Sequence, residues 1–257
     1  MWPRLATPLK DQTLDRNRGD PVYSFPESAG RDILRTRPGS CTSHLRTSHS
    51  RRRFGLLVSV TALAVAAGAR AAGAFADGHK LASFLDGLQV ESRWPAGVHV
   101  DWETGLPDGK TEHFEGKHTH CSAFVASAAK QLGVYILRPP EHGQMLLANA
   151  QYDWLAAKGA AFGWTPLSDA FAAQQAANRG QLVVATYKNR DAKKPGHIAI
   201  VRPTGRDRDD ILADGPEIIM AGEHNYQATT VKQGFANHPT AFADGKIRYF
   251  QHDLSWG

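Results

Sequence analysis

The fold is decided by Lys194-Pro195-Gly196-His197-Ile198-Ala199-Ile200-Val201, a turn followed by a short apolar strand. Proline and glycine together favour a turn, and the four apolar residues after His197 favour a buried strand. A second apolar stretch, residues 181–187, precedes the turn and predicts the neighbouring strand. Because the polar His197 opens a buried strand, a chemical role is favoured for this histidine over a packing role.

Working outward from this pair of strands, the sequence predicts helices on the N-terminal side and further strands on the C-terminal side. The spacing of apolar residues predicts helices over residues 79–90, 121–133, 142–158 and 167–178, and strands over residues 217–221 and 247–251. The long turn-rich segment over residues 222–245 is expected to contribute to a binding cleft. Helices followed by a run of strands indicate an α+β fold with an antiparallel sheet.

The chain has 257 residues and a net charge of +5, but the positive charge is concentrated near its N-terminal end. Residues 1–76 hold 12 Lys and Arg against 5 Asp and Glu, a net of +7, so residues 77–257 carry a net charge of −2. A nucleic-acid-binding protein needs a basic face on its folded domain, and no nucleic-acid partner is expected here. Residues 1–49 lack periodicity, and we expect a disordered extension or a segment that precedes the true translation start.

Residues 50–76 have the three-part layout of a secretory signal peptide. Ser50-Arg51-Arg52-Arg53-Phe54 precedes an apolar run over residues 56–67, and small residues then lead to Ala74-Phe75-Ala76. The paired arginines resemble a twin-arginine export signal. We expect cleavage after this alanine, which leaves a mature domain over residues 77–257 in the periplasm or outside the cell. An uncleaved membrane anchor is the alternative, but the apolar run is short for a spanning helix, so no stable membrane insertion is expected.

Cys121 is the single cysteine of the expected mature domain, because Cys41 lies upstream. It begins a predicted helix, where free backbone N–H groups and the helix dipole favour the thiolate over the thiol. If Thr119 caps this helix, the same N–H groups could stabilise the oxyanion of a tetrahedral intermediate. A cysteine nucleophile needs a base, usually a histidine, and His197 is the candidate. A small buried hydrophobic residue is the alternative interpretation of this cysteine.

Two motifs resemble those of a known family. Cys121-Ser122-Ala123-Phe124-Val125 at a helix start, and the Gly-His-Ile-Ala-Ile-Val run at 196–201 on a strand, resemble the papain-like cell-wall cysteine hydrolases, which include CHAP amidases and NlpC-type peptidases. The resemblance spans roughly residues 119–226. It implies a papain-like fold with N-terminal helices packed on an antiparallel sheet. It also implies that Cys121 and His197 cleave amide bonds in peptidoglycan stem peptides, or between stem peptide and sugar, without a metal.

The third catalytic residue has two candidates in Glu223-His224-Asn225-Tyr226, which resembles the Glu-x-Asn run that follows the histidine in CHAP amidases. If the strands on either side of this connection pair antiparallel, the residue level with His197 lies near 221–223. That register favours Glu223 over Asn225. In the NlpC-type pattern the corresponding residue falls near Met220, whose side chain cannot orient a histidine, so this sequence is closer to the CHAP pattern.

Three alternatives to hydrolysis by a cysteine nucleophile stay open. The domain could be a non-catalytic cell-wall-binding module of the same fold, or it could transfer the acyl group to an amine instead of water. It could also be a zinc-dependent hydrolase that uses His118 and His120, with His113 nearby. No His-Glu-x-x-His motif accompanies these histidines, so solvated loop histidines are the simpler interpretation. Neither a metal ion nor another cofactor is expected.

Overall fold

The computed structural model describes Gly73, residues 76–110 and residues 118–256. The extension over residues 1–49 lies outside the described residues. So does the signal peptide expected over residues 50–76, apart from Gly73 and Ala76, and so does His113 of the zinc alternative. In the part of the chain that is described, no helix is both long enough and apolar enough to cross a membrane.

The centre of the described domain is one six-stranded sheet in which all neighbouring strands are antiparallel. The strands are β1 (Trp164–Leu167), β2 (Leu182–Tyr187), β3 (His197–Val201), β4 (Glu217–Met220), β5 (Tyr226–Thr230) and β6 (Arg248–His252). Their order across the sheet is β1-β6-β2-β3-β4-β5. The apolar strands β2 and β3 lie side by side near its centre and are buried along their whole length.

Helices cover both faces of this sheet. They are α1 (described over residues 76–87), α2 (Cys121–Gln131), α3 (Leu147–Ala157), α4 (Ala170–Asn178), α5 (Arg208–Asp214), α6 (Val231–Gly234) and α7 (Pro239–Ala243), with a 3₁₀ turn at Gly159–Phe162. Helices α1 to α3 pack on one face, and α4, α6 and α7 contribute to the core on the other. The antiparallel α+β fold class expected from the sequence is confirmed.

Strand β3 shows why two cores form. Ile198 and Ile200 point into the core beneath α2, whereas Ala199 and Val201 point into the core beneath α4 and α6, as the two-residue period of a strand requires. Helix α2 presents mainly alanine, serine and cysteine to the sheet, and its first nine residues are all buried. Small side chains allow this helix to lie close to β3, which places its first residue beside the start of that strand.

The segment over residues 222–245 is not the plain irregular connection that the sequence suggested, because it forms β5, α6 and α7. Its strand is polar and only partly buried, and its helices have four and five residues. Helix α3 also begins later than expected, at Leu147 instead of residue 142. The preceding Leu146 has a left-handed backbone conformation with φ of 53°, which is incompatible with continuing the helix toward the N-terminus.

Candidate active site

Cys121 is the first residue of α2 and is only 4% exposed. Burial raises the pKa of its thiol, while hydrogen bonds from the backbone N–H groups of Ile198, Ser122 and Cys121 itself act in the opposite direction. The resting group is therefore the neutral thiol. The sequence-based expectation of a thiolate at the helix start is wrong, because removal of the sulfur from water outweighs the stabilisation by these N–H groups.

The N-cap of α2 is His120, not Thr119, and no side chain caps the helix. The His120 imidazole instead lies 2.8 Å, through Nε2, from the carbonyl oxygen of Val98. Burial lowers the pKa of His120, so the neutral ring donates its Nε2–H to this carbonyl. That nitrogen is therefore occupied, and the described residues, which do not include His113, contain no cluster of three metal-binding side chains.

His197 is the first residue of β3, as expected, and is 6% exposed. Its Nε2 lies 3.4 Å from the sulfur of Met220, and the ring of Phe235 meets the imidazole edge-on with centroids 4.6 Å apart. Burial, with a contribution from neighbouring His238, lowers the pKa of His197 to about 3. The imidazole is therefore neutral at pH 7. A proton on Nε2, facing the weakly accepting thioether, leaves Nδ1 as the nitrogen that can accept a proton.

The backbone around His197 is fixed by close contacts with α3. Asn149 donates from Nδ2 to the carbonyl of Lys194 at 2.9 Å, and its Oδ1 accepts from the backbone N–H of Asn189 at 3.1 Å. Both ends of the β2–β3 connection are therefore held by one side chain. A Cβ atom on Gly196 would lie 2.2 Å from the Tyr187 carbonyl oxygen and 2.5 Å from Oδ1 of Asn149, so only glycine fits before the histidine.

The structure brings Cys121 and His197 to adjacent positions without bringing their side chains into hydrogen-bond contact. The sulfur accepts from the N–H of Ile198, the residue directly after the histidine. The thiol, however, belongs to the core beneath α2, while Met220 and Phe235, which hold the imidazole, belong to the core on the other face. The contacts of these two described side chains include no thiol–imidazole hydrogen bond.

The two candidates for the third residue have other partners. Residues of β3 and β4 pair as Ile200 with Ile219 and Val201 with Ile218, and continuing this register places His197 level with Gly222, inside the expected range of 221–223. The side chain that faces the imidazole is nevertheless that of Met220. A thioether is a weak acceptor, so it holds the ring mainly by packing.

Asn225 ties two distant segments together. Its Oδ1 accepts from the backbone N–H of Gly222, and its Nδ2 donates to the carbonyls of Val90, Arg93 and Trp94 at 3.0, 2.8 and 3.2 Å. The amide of Asn225 is thus used by the backbone and does not reach His197. Glu223 accepts from Nδ2 of Asn237 at 3.3 Å and lies in the wall of the neighbouring cleft.

A cleft of about 390 Å³ opens beside His197. Its lining includes Thr119, His197, Gly222 and Glu223, together with residues 233, 234 and 236–238 at the end of α6 and before α7. Cys121 is not part of the lining, although Thr119, two residues before it, is. The sequence failed to indicate His238 as a member of this site, because it lies in the segment that shows neither helical nor strand periodicity.

The arrangement places a neutral imidazole in the lining of a cleft of about 390 Å³, while the buried thiol and its backbone N–H donors lie outside this lining. These are the components of covalent acyl chemistry, in which a thiol adds to a carbonyl and a base removes its proton. No protein-family model matches the chain, and a search of curated proteins finds no significant match.

Proposed function

We propose that residues 77–257 form a papain-like cysteine hydrolase that cleaves amide bonds in peptidoglycan, with Cys121 as nucleophile and His197 as base. The observation that carries the proposal is that the backbone N–H of Ile198 acts on the Cys121 thiol and opposes the rise in its pKa, because Ile198 directly follows His197. The two sequence motifs of this family, at the start of α2 and along β3, support the same assignment.

In the proposed reaction, the thiol proton passes to Nδ1 of His197 as the sulfur adds to the substrate carbonyl carbon. Backbone N–H groups at the start of α2 stabilise the oxyanion. The carbon–nitrogen bond then breaks, and the imidazolium returns its proton to the leaving amine. Water attacks the resulting thioester, again with His197 as proton acceptor, and this step releases a carboxylic acid and restores the thiol. With an amine in place of water, the same steps transfer the acyl group.

Both groups are neutral in the resting site, because burial raises the pKa of Cys121 and lowers that of His197. Thiolate and imidazolium stabilise each other once they form together, since opposite charges at short range favour both ionised states. Substrate binding has to bring the sulfur and Nδ1 into contact, and catalytic hydrogen bonds that are long or absent in an empty site often form only with substrate bound. The proposed mechanism is therefore general-base catalysis from a neutral pair.

The proposed substrate and location depend on the export signal at residues 50–76. An exported enzyme meets peptidoglycan, and the cleft has the size of a short peptide segment. Among the proposed catalytic residues, Glu223 remains in the cleft wall as a group that can contact substrate, while Asn225 acts by shaping the turn over residues 222–225. Met220 and Phe235 take over the positioning of the imidazole.

A second candidate function is a non-catalytic cell-wall-binding module of the same fold. It is favoured by the 4% exposure of Cys121 and by the absence of this residue from the cleft lining. In this case the thiol is a small buried hydrophobic residue and the cleft alone contacts the ligand.

The mature domain, incubated with purified peptidoglycan, tests both candidates when soluble fragments are identified by mass spectrometry. The hydrolase predicts fragments with newly formed carboxyl ends and a loss of at least about 10³-fold in rate for Cys121→Ala. His197→Ala should lose activity similarly, whereas His79→Ala, on the exposed side of α1, should match the wild-type rate. Co-sedimentation with peptidoglycan without release of fragments would support the binding module. Full activity of Cys121→Ala would exclude the hydrolase.

A further inference from the structure

The lining of the cleft contains a further histidine besides His197 and His224. His238 precedes α7, and its ring lies 5.9 Å from that of His197 with only 30° between the two planes. Its other aromatic neighbour is Tyr187, with ring centroids 5.1 Å apart. These contacts hold the imidazole in a defined orientation at the edge of the cleft, on the same side of the sheet as His197.

The ring nitrogens of His238 make no hydrogen bond to the protein within the described part of the chain. Proline at the first position of α7 fixes the backbone that follows, so the histidine does not depend on a side-chain hydrogen bond for its position. Burial lowers the pKa of His238, and the neutral ring has one donor and one acceptor. A ligand in the cleft can therefore bond to either nitrogen.

The described lining of the cleft contains no lysine or arginine, and Glu223 is its one carboxylate. Proteins that bind a free carboxylate generally supply a cationic side chain for it. The polar groups of the lining are three imidazoles, two amides, two hydroxyls and glycine backbone, from His197, His224, His238, Gln233, Asn237, Thr119 and Tyr226. Such donors and acceptors match the N–H and C=O groups of peptide units.

We propose that His238 is a substrate-binding residue, and that together with His197 it selects internal, uncharged peptide segments over segments that end in a free carboxylate. The separation of 5.9 Å between the rings is less than the length of two extended residues, so both imidazoles can contact adjacent peptide units. The identification of the ligand as a peptidoglycan peptide rests on the proposed function. The selection of amide over carboxylate rests on the cleft itself.

Binding to the Cys121→Ala variant of the mature domain tests this proposal without turnover. The probes are soluble peptide fragments of digested peptidoglycan, used once with their free carboxylates and once after conversion of these to amides. Isothermal titration calorimetry should show at least about tenfold tighter binding of the amidated fragment, because a carboxylate in this cleft meets no lysine or arginine and lies near the carboxylate of Glu223. Adding His238→Ala should weaken binding of the amidated fragment about tenfold, with partial recovery in His238→Gln and no effect of His79→Ala.

Nuclear magnetic resonance of the imidazole nitrogens in Cys121→Ala gives a second measurement that does not depend on the folding of a His238 variant. The His238 nitrogen signals should shift on addition of the amidated fragment. Equal or tighter binding of the carboxylate form, unchanged signals, or no binding of either fragment would overturn the proposal. If wild-type protein releases no fragments from peptidoglycan but the binding results hold, the hydrolase proposal fails and the role of His238 stands.

Discussion

Cys121 and His197 lie at the starts of neighbouring elements but belong to opposite faces of the sheet, and the protein holds them in different ways. The sulfur interacts with backbone N–H groups and with the Ser122 side chain, within a core built mainly of alanine and aliphatic side chains. The imidazole is held by Met220 and Phe235, and the backbone before it is locked by Gly196. The position of the imidazole therefore depends on packing by neighbouring side chains, whereas the thiol depends mainly on the backbone of α2 and β3, and both groups rest in their neutral forms.

Gly196→Ala should produce the largest loss of stability, because it disturbs the tight packing of the backbone next to His197. A Cβ atom 2.2 Å from the Tyr187 carbonyl forces the backbone of the β2–β3 connection to move, and we expect a loss of more than about 3 kcal/mol in the free energy of unfolding. Urea unfolding followed by circular dichroism measures this loss. Gly205→Ala is the matched control, since a Cβ there has no atom within 4 Å. Equal stability of both variants would show that the connection is loose.

The second prediction concerns pH. His197 has a pKa of about 3 in the folded protein and an ordinary value of 6.5, so the unfolded chain binds the extra proton first as the pH falls. Stability is therefore lost between pH 6.5 and 3, by about 3 kcal/mol from pH 7 to pH 4. His238, whose pKa is also lowered, acts in the same direction. Between pH 7 and pH 4, the measured free energy of unfolding should therefore fall by about 3 kcal/mol less in His197→Gln than in the wild-type protein. The same decrease in both proteins would mean that His197 is not buried as described.

Some elements of the fold could be predicted from the sequence, and others could not. The strands over 182–187 and 197–201 were predictable because unbroken apolar runs flank a proline–glycine turn. Strand β1 was missed because it has only four residues, and β5 because its residues Tyr226–Thr230 are largely polar. Helices of four or five residues, such as α6 and α7, are too short to show a helical period.

For the site, Cys121 and His197 were placed correctly at a helix start and a strand start. The thiol pKa was not predictable, because it depends on burial by residues far away in the chain. The contact between His197 and Met220 follows from the register of β3 and β4 and from a bend after β4, neither of which single-sequence patterns specify. His238 could have been noticed only from the proline that follows it, a common sign of a helix start.

A smaller loss of stability is expected when the hydrogen bonds that join α3 to the β2–β3 connection, referred to as the Asn149 bridge, are removed. Asn149→Ala removes the bonds to the Lys194 carbonyl and the Asn189 N–H, which should lower the free energy of unfolding by about 2 kcal/mol. Asn149→Asp retains the acceptor for Asn189 and should lose about half of this. Under the hydrolase proposal, kcat should fall more than KM rises, because the change displaces the base and leaves the cleft wall over 233–238 intact. Wild-type kcat in Asn149→Ala would argue against this bridge as a support for the base.

The smallest effect is expected on the rate at which the Cys121 thiol is modified. Because burial raises the pKa of Cys121, iodoacetamide should modify it at least about tenfold more slowly in the folded protein than in urea at the same pH. His197→Gln should change the folded-state rate by less than about twofold, since no hydrogen bond joins the two side chains at rest. Mass spectrometry of timed samples measures both rates. Rapid labelling that depends on His197 would reveal a preformed thiolate–imidazolium pair. It would contradict the conclusion that both groups rest in their neutral forms.

The hydrogen bonds of Asn225 have a consequence for the order of folding. They join residues 135, 132 and 131 positions apart in the chain, whereas strands β2 and β3 are connected by a short turn. Closing a loop of that length carries a large entropic penalty, and contacts between distant residues form late in small domains. We therefore expect the β2–β3 hairpin to form early, and the turn over residues 222–225, with the cleft that it borders, to be among the last parts of the domain to assemble.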